Sequence, residues 1–225
     1  MGQFFLKLFL LTPAELTANL KSEIYPILQP REERIVKIAI GGCVCTGKDT
    51  ISELLAEAMG GCPHVSAGSI MRQCATEAGI SDIAEFARTV GATACDHEVD
   101  ERMRIAGIEN ATIVAQGRLA WRSVPDSYKV LLEADMEVRI KRFKKRESKP
   151  DRHITSFQAF EQIGSRDQAD LLRYYKTYGI KCFTDECHYN EVIDTSDRTP
   201  EEIADQIMRF ARRHYELHSG SLMTA

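Results

Sequence analysis

The sequence predicts an α/β fold: a mostly parallel sheet covered by helices on both faces. Three observations predict it. Short apolar runs alternate along the chain with longer stretches of helical period. A glycine-rich turn joins the first clear strand to a helix. The composition is ordinary for a globular chain, with 225 residues, 44% hydrophobic, 28% charged and a net charge of −4, against average usage of roughly 45–50% apolar and about 25% charged.

In chain order, residues 1–34 read as an N-terminal extension of unknown role, broken by Pro26 and Pro30. Residues 36–40 form an apolar strand running into Gly41-Gly42, and 50–59 has helical spacing through Ile51, Leu54, Leu55 and Ala58. Helices are expected at 69–78, 81–90 and 96–107, and strands at 111–115 and 129–132. A very basic helix covers 137–147, Pro150 breaks it, and a long helix resumes over 156–178. A short strand at 191–193 precedes a final helix, capped by Thr199-Pro200-Glu201-Glu202. The expected organisation is one domain over 35–218, with an insertion at 66–109, a lid at 146–155 and a flexible tail at 219–225.

Several classes are excluded early. Disorder needs fewer apolar residues and more net charge. A membrane span needs about 20 consecutive apolar residues, whereas the longest candidate, 4–11, is interrupted by Lys7. The mild negative charge gives no reason to expect nucleic acid. Seven cysteines form an odd set, with no secretory cleavage pattern before them, so free thiols in a reducing cytoplasm are expected. Neither Cys43/Cys45 nor Cys182/Cys187/His188 has zinc-ligand spacing.

The first chemistry-bearing motif is Gly42-Cys43-Val44-Cys45-Thr46-Gly47-Lys48, which fits G-x-x-x-x-G-K between a strand and a helix. Its glycines let successive N–H groups curl inward, and the helix adds its positive end. Lys48 adds a mobile charge suited to the β- and γ-phosphates of a nucleoside triphosphate. The motif expects Ser or Thr after the lysine, but Asp49 stands there, with Thr50 next. A carboxylate beside phosphates is costly unless a cation intervenes, so Asp49 and Thr50 are the candidate metal ligands.

The second is Ser66-Ala67-Gly68-Ser69-Ile70-Met71-Arg72, which opens a helix after a short strand. Here the chain resembles the nucleoside monophosphate kinases, and among them the archaeal-type cytidylate kinases. Three further runs carry the likeness over most of 36–210: Asp96-His97-Glu98-Val99-Asp100-Glu101, Gln116-Gly117-Arg118-Leu119-Ala120, and Ile193-Asp194-Thr195-Ser196. The resemblance implies a P-loop NTPase fold with a five-stranded parallel sheet of order 2-3-1-4-5. It implies ATP and Mg²⁺, with phosphoryl transfer to a nucleoside monophosphate, CMP or dCMP foremost. The partners implied are small nucleotides, with no nucleic acid and no membrane, and the chain is a monomer or homodimer. Arg72 would grip the acceptor phosphate, with Ser66, Gly68, Gly117 and Arg118 around the acceptor.

Arg166, Asp170 and Arg173 lie at i, i+4 and i+7 and share a helix face. Alone they read as an ion-pair ladder; the resemblance makes them the wall of the monophosphate site. Arg142 and Arg146 also share a face and are the candidate lid arginines over the γ-phosphate.

Three positions depart from the family pattern: Asp49, Gln116 in place of an acid, and Ser69 in place of an acid. If strands 3 and 1 are neighbours, Gln116 sits beside Asp49, and the metal-serving carboxylate has moved from the strand to the loop. Two rival readings stay open. One is a kinase for another small acceptor, such as a sugar acid or dephospho-coenzyme A. The other is a catalytically weakened nucleotide-binding module, in which oxidation at Cys43 and Cys45 could block the loop.

Overall fold

The computed structural model describes residues 35–147 and 153–219. The predicted extension (1–34), the centre of the predicted lid (148–152) and the tail from 220 onward lie outside the described residues.

Five parallel strands form one sheet in the order β2-β3-β1-β4-β5, the order the resemblance implies. They are β1 (Val36–Gly42), β2 (His64–Ser66), β3 (Thr112–Gln116), β4 (Tyr128–Glu133) and β5 (Glu191–Asp194). The helices are α1 (Lys48–Ala58), α2 (Ala67–Glu77), α3 (Ile83–Val90), α4 (Ala92–Glu109), α5 (Ala120–Ser123), α6 (Met136–Glu147), α7 (Ser156–Tyr178) and α8 (Pro200–Ser219).

Strand alternation sorts the core into two layers. Ile38 and Ile40 of β1, with Val130 and Leu132 of β4, pack against Leu55 of α1 and Ile207 of α8. Ala39 points the other way, joining Ala115, Ile70, Cys95 and Met103. At β1 every residue is buried, so the strand reads as a continuous apolar run.

Several boundaries and two elements differ from the sequence expectation: α3 starts at Ile83 rather than 81, and α4 runs over Ala92–Glu109 rather than 96–107. α2 starts at Ala67 rather than 69, because Ser66 caps it: Ser66 Oγ accepts from Ser69 N at 2.9 Å, and Ser69 Oγ accepts from Ser66 N at 3.1 Å. α1 starts at Lys48 rather than 50, directly on the glycine turn. The one-turn α5 and the 3₁₀ turn Glu186–His188 were too short to leave a periodic signal.

Candidate active site

β1 ends at the carboxyl edge of the sheet, and the phosphate loop joins it to α1. Gly42 has φ +139, and a Cβ there would sit 2.4 Å from the Leu132 carbonyl oxygen, so only glycine fits. Gly47 closes the loop at φ +96, and Cys45 adopts a left-handed φ of 63 between them. No side chain caps α1, leaving its first-turn N–H groups available to an anion.

Two neighbours brace this loop. Asp167 of α7 accepts from Val44 N at 3.1 Å and pairs with Arg139 of α6, whose Nε donates to Val44 O at 2.8 Å. On the opposite flank the Thr195 hydroxyl lies 3.0 Å from Thr46 O and 2.9 Å from Glu133 O.

The loop opens on a cavity of about 720 Å³. Among the residues expected to hold a triphosphate, Val44, Cys45, Gly47, Lys48, Asp49 and Thr50 line it. Cys43 and Thr46 do not: they face a smaller cavity behind the loop. The Thr46 hydroxyl is spent on Cys43 O at 3.1 Å, and Gly42 is buried beneath it. Lys48 Nζ folds back to donate to Cys43 O at 2.5 Å. Burial, and then the Arg118 charge, lower its pKa to about 8.

Asp49 sits beside Gln116, as the strand order required. Gln116 Nε2 donates to Asp49 Oδ1 at 2.7 Å. Its Oε1 is buried with no hydrogen-bond partner. A carboxylate held next to an unfilled amide oxygen, one residue past the phosphate-binding lysine, suits a hydrated Mg²⁺, an oxygen-seeking ion that keeps several of its waters. The donor set therefore fits the metal that a phosphoryl-transfer site needs, and Thr50 adds an exposed hydroxyl.

Ser66, Gly68, Arg72, Gly117, Arg118, Arg142, Arg146 and Arg166 line the same cavity. The Ser66 hydroxyl belongs to the α2 cap. The Arg72 guanidinium lies over Gly68, where a Cβ would stand 3.6 Å from Nη1, an ordinary contact. Arg72 and Arg166 have no ion pair among the described residues. Arg142 is fixed, donating to Thr195 Oγ1 at 2.9 Å, Thr195 O at 2.7 Å and Cys45 O at 3.3 Å. It is thus a fixed wall of the main cavity. Arg146, at the end of α6, pairs with Glu147 at 2.9 Å.

Asp170 and Arg173 do not line the main cavity. Asp170 is buried between Arg118 Nη2 at 2.6 Å and Arg173 Nη1 at 2.7 Å, and Arg173 Nε reaches Asp96 at 2.7 Å. Their face of α7 is a charge chain, with Arg173 lining a side cavity. Sequence reasoning missed Arg139, Asp167 and the bracing role of Thr195. Asp167 is masked by its neighbour Arg166 in the motif, and Arg139 by the basic run around it.

All seven cysteines are free, and burial pushes the Cys43 thiol up to about 11 and raises Cys45 as well, which disfavours the thiolate form at both.

A family model described as cytidylate kinase-like matches residues 37–197. The chain is 34% identical over 173 residues to the cytidylate kinase of Methanobrevibacter smithii, covering 76% of this chain and 95% of that one. It is 32% identical over 181 residues to an S-adenosylmethionine-dependent nucleotide dehydratase of Lacinutrix mariniflava, covering 80% of this chain and 36% of that protein. Among solved structures, shikimate kinase from Bacteroides thetaiotaomicron superposes with a TM-score of 0.51 at 13% identity, over 82% of this chain and 98% of the other. That likeness is one of fold. Among the described residues no helix is long and apolar enough to cross a membrane.

Proposed function

The chain belongs to the cytidylate kinase-like family, a phosphotransferase family, and on that premise we propose that it moves the γ-phosphoryl group of ATP to a nucleoside monophosphate, CMP or dCMP before others. The observation that carries this reading is the shared cavity. An uncapped helix end with Lys48 lines it. Arg72 and Arg166, free of ion pairs among the described residues, line it too. A phosphate loop and two unpaired arginines in one space suit a donor and an acceptor that both carry phosphate.

Lys48 leaves the Cys43 carbonyl to meet the β- and γ-phosphates, while the first-turn N–H groups of α1 hold the phosphate oxygens. Arg72 and Arg166 orient the acceptor phosphate, an anion that attacks in line and needs no strong general base. Arg142 and Arg146 neutralise charge on the transferred group. Mg²⁺, when bound, neutralises charge on the β- and γ-phosphates, and Asp49 with Thr50 would hold it. Gln116 keeps the Asp49 carboxylate turned toward that position.

The test is a coupled ADP-release assay with MgATP against CMP, dCMP, UMP, AMP, GMP, gluconate, shikimate and dephospho-coenzyme A under reducing conditions. CMP or dCMP far above the rest is expected. A preference for gluconate, shikimate or dephospho-coenzyme A would keep the fold and overturn the substrate. Silence with ATP still bound would leave a nucleotide-binding module.

A further inference from the structure

α7 buries one side through Ala159, Ile163, Asp170 and Tyr174 and carries an apolar stripe elsewhere. Its Phe157, Phe160, Leu172 and Tyr175 are between 49% and 68% exposed. With Gly164 and the exposed Gln168 between them, these positions recur every three or four residues, the spacing of one helix face. Single exposed apolar residues need no explanation, but a continuous stripe marks a contact surface. This one runs from 157 to 175, about 27 Å at 1.5 Å per residue. Arg166 stands midway, about two and a half turns from either end, which puts it on the opposite side of the helix, where it lines the main cavity. The stripe is thus no part of the site already described.

The stripe complements itself. In an antiparallel pair of α7 helices centred on Gln168, residues equally far before and after the centre come to one level. Leu172 of each copy then falls at the level of Gly164 of the other. Among the described residues nothing lies within 4 Å of a Cβ placed at Gly164, so the glycine leaves a gap that a leucine fills. Phe160 comes level with Tyr175, an aromatic pair. Glu161 and Lys176 come level as well. Both are exposed on one flank of the stripe, and neither has an ion pair among the described residues. A twofold axis brings the same flank of each helix together, so the two opposite charges meet twice.

We propose that this face of α7 is the seam of a homodimer, in which a second copy of the chain packs antiparallel about Gln168. Leu172 enters the gap at Gly164, the aromatic side chains cover one another, and Glu161 pairs with Lys176 at both ends. The apolar footprint is on the order of a few hundred Å² per copy. That is at the low end for a specific contact, which sets the dimer in exchange with monomer at roughly micromolar concentration.

The experiment is sedimentation velocity of the full chain over about 1–300 μM, where monomer should pass to dimer as concentration rises. Leu172→Glu sets a charge into the gap and should weaken the dimer about 10-fold or more. Glu161→Lys brings like charges together at both ends and should weaken it about 3-fold or more. Adding Lys176→Glu to that variant should restore the natural constant to within about 2-fold, as a direct pair requires. All three positions are exposed, where substitutions cost the fold little. A natural chain that stays monomeric throughout leaves the stripe to another occupant and overturns the proposal, a result that depends on no variant. A dimer untouched by Leu172→Glu would place the seam elsewhere and overturn it too. So would a Glu161→Lys loss that the second reversal does not repair.

Discussion

Lys48 supplies a test that needs no mutation, because the perturbation is pH. In the free protein its ammonium is buried against the loop it must leave, and burial first, then the neighbouring Arg118 charge, bring its pKa down to about 8. Asp49, Cys43 and Asp167 pull the other way and do not prevail. The sign follows from which form binds phosphate. Below pH 8 the side chain is charged and nucleotide affinity is complete; above it the neutral amine must first take up a proton. The apparent dissociation constant for MgADP then scales as 1 + 10^(pH − 8), about 1.1-fold above its limit at pH 7 and about 11-fold at pH 9, or some 1.4 kcal/mol per unit. Cys43, held near 11, does not titrate in that window. Isothermal calorimetry in buffers of different ionisation heat reads both affinity and proton uptake, and uptake should approach one proton at pH 9. Lys48→Arg, charged throughout, should flatten the profile. An affinity for the natural chain that is constant between about pH 7 and pH 9 would refute the reasoning.

Asp49→Asn should lower the ratio of MgADP to metal-free ADP affinity by about 10-fold or more, and Gln116→Leu should move it the same way. Equilibrium dialysis gives the ratio directly, and an unchanged value in Asp49→Asn would end the idea of a relocated carboxylate. Arg139→Leu leaves the Asp167 carboxylate with Val44 N and, at 3.9 Å, Arg118 Nη2, costing about 1–3 kcal/mol in urea unfolding; a loss under about 0.5 kcal/mol would mean the brace is cosmetic. In Gly41→Ala the new Cβ meets the Tyr189 ring at 2.4–2.9 Å, an overpacking worth about 1–3 kcal/mol. Adding Tyr189→Leu should recover part of that loss, and no recovery would place the strain elsewhere.

How much of this was legible in the sequence depended on range. The phosphate loop was readable because its chemistry is local: glycines, a lysine and flanks that differ in period. The Asp49–Gln116 contact spans 67 residues, yet it too could be foreseen, since strand order puts the ends of β1 and β3 side by side. The Asp167 brace could not. Its partners Val44 and Arg139 lie 123 and 28 residues away, and no periodicity marks which acid on a polar helix will turn inward. Spacing put Asp170 and Arg173 with Arg166 on one face, while their partners Arg118 and Asp96, on other elements, carried no local signal. Ser69 was visible as a departure, while its use as a cap partner needed coordinates.

α7 also acts as a caliper. Within eight consecutive residues it presents Arg166 to the main cavity, locks Asp167 to the phosphate loop, pins Asp170 to Arg118 and ends with Arg173 beside the side cavity. At 1.5 Å per residue that rod is about 10 Å long. Its jaws are set by covalent spacing on a rigid helix, not by a hinge. A change in the tilt of α7 would therefore shift the phosphate-loop brace, the Arg118 anchor and both cavity walls together.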